Sequence, residues 1–373
     1  MSMCNAFGII NSEGSNVNVE GVQDYRPVGA FSFLGRYRII DFPISNMTNS
    51  GVNHIQVYVK SKPRSLIEHL GTGRHYNLNS KRGKLHILYG ENLSDSSFYN
   101  HDVAAYRANM SAIEEVNYPY VIIAPSYMIY AMDYSSLLNK HIESGADITM
   151  VYQSVEDARN EFINCDVLNL NKQKGVLSIE RNRGNYKTRN ISLETYVLSK
   201  ELFISLVNKA ANISSLYSFR DMLNDECSEL DVRGVAHRGY FVAINDFKSY
   251  YHANMELINI NKAMTLFDDE WPIYTRTNDS APTQYYACSD VHHSVVSNGC
   301  LIEGTVENSV IGRGCTLKKG CVVKDSVVLP GVMIGEDVHI EGAVVDKKAK
   351  ITRVKELIAD AEHPAYVKRG DRI

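Results

Sequence analysis

The sequence has no excess of positive charge and no long apolar segment. Its 39 lysine and arginine residues are outnumbered by 43 aspartate and glutamate residues, which gives a formal net charge of -4. Proteins that bind nucleic acid through its phosphates usually carry a basic excess, so this balance argues against that class. No apolar run approaches the ~20 residues that span a bilayer. We therefore expect neither a nucleic acid nor a membrane as a partner.

Cysteines are few and follow no regular spacing. The chain has seven, an odd number, and none of them forms a CxxC pair. Disulfide frameworks and zinc sites both depend on recurrent cysteine spacings. Since no signal peptide is recognisable either, we expect a cytoplasmic protein with reduced thiols. The content of 44% hydrophobic and 22% charged residues is typical of a soluble globular protein.

The length of 373 residues predicts two domains, because one hydrophobic core rarely serves so long a chain. Residues 1–260 alternate strand and helix patterns, which predicts a doubly wound, mostly parallel α/β domain. Strands are expected within Asn53–Lys60 and Tyr118–Pro125. A helix is expected to start after an N-cap at Asp133 and to end before Gly145. Ligands of such sheets bind beyond the carboxyl ends of the strands, here near Asn11–Asn16 and Pro125–Met128.

The last part of the chain follows a six-residue period. Aliphatic side chains recur at Ile311, Leu317, Val323 and Leu329. This period predicts a left-handed parallel β-helix over residues 293–373, in which each coil buries the interior of its neighbour. Residues 261–292 contain two prolines and few aliphatic residues, and we interpret them as a linker. We expect the cysteines within the coils, such as Cys315, to pack inward as small hydrophobic residues rather than to bind metal.

The loop after the first predicted strand lacks the features of a phosphate-binding turn. It carries Glu13 and Asn16 where a triphosphate requires glycine amides and a cation. Gly14 alone would leave the backbone free to approach a phosphate. The fold therefore predicts a nucleotide site that this loop does not complete.

Three stretches resemble glucose-1-phosphate adenylyltransferases, the ADP-glucose pyrophosphorylases of glycogen synthesis. They are GRYRIIDFPISNMTNSGV from Gly35, GYFVAINDFKSYYHANMEL from Gly239 and EWPIYT from Glu270. The resemblance covers nearly the whole chain and implies a Rossmann-like nucleotidyltransferase (GT-A-like) domain followed by the β-helix. Within the family the chain is most similar to the GlgD-type subunit, which accompanies a catalytic GlgC-type subunit in some bacteria.

The chain departs from the family at the positions that carry its chemistry. Asn16 stands where the GGxGxRL loop has an arginine, and Val28 where the AKP motif has a lysine. Tyr127 and Ala243 stand where the AGDHIY and GYWRDVG motifs have the aspartates that hold catalytic magnesium. Magnesium requires hard oxygen ligands, and adenylyl transfer depends on neutralising phosphate charge. The resemblance thus implies an inactive chain with no catalytic residues and no cofactor or metal of its own, with Mg²⁺ only in a partner.

The resemblance also implies a regulatory role. The family binds anionic regulators, such as sugar phosphates or phosphate, at positions matched by Arg26, Arg38 and His69. Two arginines near a domain junction suit phosphate recognition, although Arg38 could instead pair with Asp41 and stabilise the fold. We expect a heterotetramer with a catalytic GlgC-type subunit and an anionic effector.

Two further hypotheses stay open from the sequence. The first is an active nucleotide-sugar-forming enzyme with a rebuilt metal site, for which Asp102, Asp133 and Asp246 are candidate ligands. The second is a phosphate or sugar-phosphate sensor that acts without a catalytic partner.

Overall fold

The computed structural model describes residues 4–12, 14, 16–78, 83–90 and 101–373. An α/β domain comes first and a parallel β-helix second. In the described ranges the helices are α1 (Asp41–Asn49), α2 (Arg64–Leu70), α3 (Asp102–Ala108), α4 (Met110–Glu114), α5 (Tyr134–Ser144), α6 (Lys200–Ile213), α7 (Phe219–Glu226), α8 (Phe247–Glu256) and α9 (Ile260–Ala263). Three short 3₁₀ helices cover Val22–Asp24, Val28–Ala30 and Arg74–Tyr76.

The α/β domain is built on a central sheet that is mixed rather than wholly parallel. Its strands β1, β4, β5 and β6 run parallel, whereas β11 runs antiparallel between β6 and β8. Strand β12 pairs in parallel with β8, and the β9–β10 hairpin adds to β11. The strands of this domain are β1 (Ala6–Asn11), β2 (Ser32–Phe33), β3 (Tyr37–Arg38), β4 (His54–Val59), β5 (Lys84–Tyr89), β6 (Tyr120–Pro125), β7 (Met128–Tyr130), β8 (Ile148–Val155), β9 (Asp166–Leu170), β10 (Val176–Arg181), β11 (Arg189–Ser199), β12 (Val232–Ala236) and β13 (Phe241–Ala243).

The local predictions for this domain are confirmed. Strands β4 and β6 lie within the two predicted stretches. Helix α5 begins after Asp133, whose side chain accepts a hydrogen bond from the Ser135 amide, and ends at Gly145 in the left-handed conformation. Apolar periodicity and cap residues act over a few residues, so these elements follow directly from the sequence.

The second domain is the expected β-helix, with three five-stranded parallel sheets. Successive strands along each sheet belong to successive coils. The apolar residues Ile311, Cys315, Leu317 and Val323 are buried inside the coils, whereas Leu329 is buried in the core shared with the α/β domain. The strands are β14 (Gln284–Tyr285), β15 (Asp290–His292), β16 (Val295–Val296), β17 (Leu301–Ile302), β18 (Thr305–Glu307), β19 (Val310–Ile311), β20 (Thr316–Leu317), β21 (Val322–Lys324), β22 (Val327–Val328), β23 (Met333–Ile334), β24 (His339–Glu341), β25 (Ala343–Val345), β26 (Lys350–Ile351), β27 (Glu356–Ile358) and β28 (Ala365–Val367).

The β-helix begins earlier than the sequence predicts. Strands β14 and β15 lie within residues 261–292, which were interpreted as linker, and they form part of the first coil. This coil stacks on a neighbour on one side only. Tyr285 lies opposite the buried Ile302 in the parallel ladder, yet its side chain is 54% exposed. The six-residue apolar pattern is therefore weak in this first coil. Helix α9 and the extended chain after it make the connection between the domains.

The two domains share a hydrophobic core. Val310, Val327 and Val344 of one β-helix face pack together with buried residues of the α/β domain. Gly35 allows the close approach at this junction, because it has a left-handed φ of 65° and a Cβ would lie 2.9 Å from the Ile311 carbonyl oxygen. The β-helix therefore packs directly against the first domain. Among the described helices, none has both the length and the apolar character needed to cross a membrane.

Candidate functional site

The cleft at the carboxyl ends of β1 and β6 brings together the two positions at which the family carries metal-binding aspartates. Tyr127 immediately precedes β7, which pairs antiparallel with β13 so that Met128 lies opposite Ala243. The amide of Ile244 donates a hydrogen bond of 2.9 Å to the carbonyl oxygen of Tyr127. The backbone thus keeps these positions adjacent, while the side chains there supply no carboxylate.

Tyr127 is fully buried, and its hydroxyl donates a hydrogen bond to Oε1 of Glu194. Burial raises the pKa of the Tyr127 phenol well above its usual value, so this oxygen stays protonated and uncharged. Glu194 lies on β11 at the irregularity in its pairing with β8, with a left-handed φ of 46°. A glutamate held in this conformation stores strain. The Tyr127 hydroxyl is thus engaged by a protein side chain and is not free to contact a ligand.

The ionisation of the Glu194 carboxyl should make the free energy of unfolding depend on pH. Burial and the nearby Asp166 raise its pKa from 4.5 to about 7. The folded chain therefore holds this proton more tightly than the unfolded chain, and the free energy of unfolding should fall as the pH rises from about 4.5 to about 7. Glu194→Gln should remove this contribution, so that the variant gains stability relative to the parent between pH 5 and pH 8. Urea denaturation at several pH values measures the difference.

The control for this prediction is Glu201→Gln, which changes an exposed carboxylate in the first turn of α6. Its stability profile should run parallel to that of the parent. A Glu194→Gln profile that is also parallel to the parent would contradict the prediction.

The other two substituted positions lie at the edges of the same cleft. The Asn16 side chain donates to the carbonyl oxygen of Asn164 at 3.4 Å, and the amide of Asn18 donates to the carbonyl oxygen of Asn245 at 2.9 Å. Val28 is fully buried in the 3₁₀ helix that passes behind Ser126. Neither an amide nor a buried isopropyl group can neutralise a phosphate.

The residues present do not fit the magnesium ion that the family implies. Within the described ranges, no group of three or more His, Cys, Asp or Glu side chains is arranged to hold a metal ion. The carboxylates of the three candidate ligands for a rebuilt site accept hydrogen bonds from backbone amides at three different helix N-termini: Asp102 at α3, Asp133 at α5 and Asp246 at α8. No chemical step of this chain is therefore derived through a metal.

A second site lies at the junction of the two domains, as a cavity of about 490 Å³ that we call the cationic cavity. No carboxylate lines it, and within the described ranges none of its arginines and lysines forms an ion pair. Unpaired cations gathered around a cavity repel one another and favour an anionic ligand. The basic side chains that line it are Arg36, Arg38, His69, Arg276, Arg313, Lys347, Lys348 and Arg369.

Stacked turns of the β-helix form one wall of the cationic cavity. Arg313 follows β19, Lys347 and Lys348 follow β25, and Arg369 follows β28, all in the same parallel sheet. Neighbouring strands lie about 4.8 Å apart. Lys347 and Arg369 therefore lie on adjacent turns, whereas the β22 turn between Arg313 and Lys347 contributes Pro330 and Gly331. Burial and the neighbouring cations Arg38 and Arg26 lower the pKa of Lys347 well below its usual value. An anion in the cavity would relieve this repulsion.

The α/β domain contributes the opposite wall, including two of the three residues predicted to bind an anion. The Arg38 guanidinium donates to the carbonyl oxygen of Ser65 at 2.6 Å, while its backbone amide donates to Asp41 at 2.8 Å. Buried Asp41 also lies 2.6 Å from Nε2 of His69 and accepts a hydrogen bond of 2.5 Å from Tyr76. Asp41 thus anchors the Arg38 backbone and His69, and it leaves the Arg38 charge directed toward the cavity.

Arg26, the third predicted residue, does not line the cationic cavity. Its side chain is 1% exposed, and Nη2 lies 2.6 Å from Oδ1 of Asp346, which is fully buried. Tyr366 donates to the other Asp346 oxygen at 2.8 Å. Since Asp346 precedes Lys347, the Arg26–Asp346 pair joins the α/β domain to the β-helix turn that forms the cavity wall. The Nε and Nη1 atoms of Arg26 are buried without a hydrogen-bond partner in the described structure.

Sequence reasoning missed most of the cavity wall, because it named no cation from the β-helix or the connection. The available signal was the recurrence of basic residues after strands of one sheet, at Arg313, Lys347 and Arg369. Arg276 lies in the connection and carries no periodic signal. Arg36 of the α/β domain also lines the cavity.

Comparisons with known proteins agree with this architecture. Residues 24–259 match the family model described as nucleotidyl transferase, and residues 282–366 match the model described as GlmU-like, C-terminal hexapeptide. The chain is 32% identical over 359 residues to the glucose-1-phosphate adenylyltransferase of Bacillus thuringiensis strain Al Hakam, which covers 93% of each chain. The enzyme of the same name from Fervidobacterium nodosum is 30% identical over 349 residues, covering 92% of this chain and 83% of that protein.

The fold and the two sites define a nucleotidyltransferase domain joined to a hexapeptide-repeat β-helix. Identity of this level over nearly the whole length specifies the family further. The chain belongs to the glucose-1-phosphate adenylyltransferase family.

Proposed function

We propose that this chain is a regulatory, catalytically inactive subunit of ADP-glucose pyrophosphorylase in the bacterial cytoplasm, where it works with a catalytic subunit in a heterotetramer. The partner would convert ATP and glucose 1-phosphate to ADP-glucose and pyrophosphate with its own Mg²⁺. The observation that carries the proposal is the adjacent placement of Tyr127 and Ala243 at the family's metal positions, where they supply no carboxylate. The aspartates of active members would have to be replaced by other ligands for turnover to persist.

The size of the expected loss follows from the chemistry. Removal of one electrostatic contact to a transition state costs about two to three decades of rate. Here two metal ligands and two phosphate-binding cations are replaced, although such losses do not add simply. We therefore expect the isolated chain to have no measurable adenylyl transfer.

The cationic cavity supports the regulatory half of the proposal. Its basic residues come from both domains, so an anion bound there contacts the α/β domain and the β-helix together. A ligand that binds one relative arrangement of the domains better than another shifts the population toward that arrangement. We propose phosphate or a sugar phosphate as the effector class, with Arg38 and His69 among its contacts and Arg26 acting through Asp346.

Co-expression tests the proposed function. ADP-glucose formation should be measured for the chain alone, for a catalytic glucose-1-phosphate adenylyltransferase of the same cell alone, and for the two purified together, with and without inorganic phosphate. We expect no activity from the chain alone, a stable complex, and a changed rate or phosphate response of the partner in that complex.

The outcomes separate the hypotheses. Activity of the chain alone, with Mg-ATP binding detected by calorimetry, would support an enzyme with a rebuilt site and reject the proposal. A partner whose kinetics are unchanged in the complex would reject the regulatory role. Purification from the native cell without any adenylyltransferase would favour a sensor that acts alone.

A further inference from the structure

Two cysteines lie one above the other in successive coils of the β-helix. Cys300 and Cys315 each follow a turn glycine and precede paired strand residues, with Leu301 opposite Thr316. The amide of Leu301 donates to the carbonyl oxygen of Cys315 at 2.9 Å. Strands in this register place neighbouring Cα atoms about 4.8 Å apart, which is within the range that a disulfide spans. Both cysteines are reduced and fully buried.

The two thiols have different surroundings. The sulfur of Cys300 is near the Cys315 thiol, the backbone amides of Cys315 and Gly314, and the Thr283 hydroxyl. The Cys300 thiol donates a hydrogen bond of 3.1 Å to the Gly312 carbonyl oxygen, and the Cys315 thiol donates one of 3.3 Å to the Leu329 carbonyl oxygen. The neighbouring Cys315 side chain is the main cause that lowers the pKa of Cys300 to about 7, against the effect of burial. The same contact and burial raise the pKa of the Cys315 thiol. Cys300 is therefore the thiol of the pair that loses its proton more readily.

Cys300 is fully buried, so an oxidant would reach it only when the first coil opens locally. This coil, which contains β14 and β15, covers Cys300 and has a neighbour on one side only. Tyr285 and Tyr286 on it are 54% and 43% exposed, so little apolar contact holds it in place. Terminal units of repeat structures open at a lower free energy than the whole molecule.

We propose that Cys300 and Cys315 are a redox-sensitive pair, which forms an intrachain disulfide by exchange with a small-molecule disulfide and thereby weakens anion binding in the cationic cavity. The Cys300 thiolate attacks one sulfur of oxidised glutathione and releases one glutathione thiolate. The Cys315 thiol then loses its proton to solvent, attacks the Cys300 sulfur of the mixed disulfide and releases the second glutathione thiolate. Two protein thiols are oxidised while one disulfide is reduced to two thiols.

The pair is coupled to the cavity through the backbone. Arg313 and Gly314 line the cationic cavity and directly precede Cys315, and the Cys300 sulfur lies 3.1 Å from the Gly312 carbonyl oxygen. A disulfide requires the two Cβ atoms to approach to about 3.8 Å, which draws the 312–315 turn toward the first coil. This movement displaces the Arg313 wall. The effect on anion binding rests on the proposed function of the cavity, whereas formation of the disulfide does not.

The test uses the full-length chain with Cys288→Ser, which removes the exposed cysteine that could link two molecules. The protein is equilibrated in glutathione buffers of increasing oxidised fraction, alkylated, digested and analysed by mass spectrometry without reduction. We expect a peptide linked through Cys300 and Cys315 and a reduced phosphate affinity, by about threefold or more, measured by calorimetry. Dithiothreitol should reverse both changes.

Matched variants give the proposal its controls. Cys315→Ser should stop at a mixed disulfide of glutathione on Cys300 and keep its phosphate affinity, whereas Cys321→Ser, at another buried cysteine of the β-helix, should behave as the parent. Cys315→Ala serves the same purpose if the serine variant does not fold. Reduced cysteines at both positions in the most oxidising buffer would overturn the proposal. A linked peptide with unchanged phosphate affinity would overturn its coupling to the cavity, and loss of phosphate binding already in the reduced chain would instead count against the proposed function.

Discussion

Asp346→Asn should lower the free energy of unfolding by about 3–5 kcal/mol, because it leaves the buried Arg26 guanidinium without its counter-charge. Arg26 is 1% exposed and Asp346 is fully buried, so solvent cannot replace the lost partner. Two further nitrogen atoms of Arg26 already lack hydrogen-bond partners in the described structure, so the side chain has no alternative acceptor nearby. Urea denaturation followed by circular dichroism measures the loss.

The same junction provides the control for this prediction. Lys248 and Glu362 also pair across the two domains, but their side chains are 46% and 67% exposed. Lys248→Ala should therefore cost less than about 1 kcal/mol. The double variant Arg26→Met/Asp346→Leu, which removes both charges, should recover much of the stability lost in Asp346→Asn. Equal and small losses in Asp346→Asn and Lys248→Ala would show that the buried pair is not important for joining the domains.

The second large effect concerns the cationic cavity. Arg38→Gln and Arg313→Gln should each weaken the binding of inorganic phosphate by about ten- to hundredfold, since a hydrogen bond to a charged group contributes about 1.5–3 kcal/mol. The two residues lie on opposite walls, one in each domain, and within the described ranges neither guanidinium forms an ion pair with a carboxylate. Isothermal titration calorimetry at two salt concentrations should also show weaker binding at the higher one.

An arginine outside the cavity is the matched control. Arg353 is exposed on the β-helix and does not line the cationic cavity. Arg353→Gln should bind phosphate as the parent does. If Arg313→Gln retained the parent affinity as well, phosphate would be binding elsewhere and the cavity would lose its proposed role.

The sequence predicted correctly the elements that depend on residues close together in the chain, and it missed features that depend on contacts between distant residues. Strand β4 and helix α5 were placed correctly because their apolar periodicity and their caps are local. The first coil of the β-helix was missed, since β14 has an exposed face on the open end and does not carry the full repeat. The apolar periodicity also did not predict that β11 runs antiparallel within the central sheet, because the strands that pair with it are distant in the chain.

The features of the candidate site also differ in whether the sequence could predict them. The resemblance predicts that Tyr127 and Ala243 replace metal-binding aspartates, and this stays a prediction. The structure adds that Ala243 lies opposite Met128, next to Tyr127. The contact between Tyr127 and Glu194 could not be predicted from the sequence, because no motif included Glu194. The resemblance predicted that Arg26 binds an anion, whereas in the structure its buried guanidinium pairs with Asp346.

By itself the sequence determined the order of the domains and the six-residue period of the coils, because both depend on residue types at short spacing. Only the tertiary structure decided where the charges meet. Arg26 and Asp346 are 320 residues apart in the chain, and the cavity combines Arg38 with Arg313 and Lys347. Such contacts arise when the β-helix docks on the α/β domain through their shared core, and no local pattern encodes the geometry of that docking.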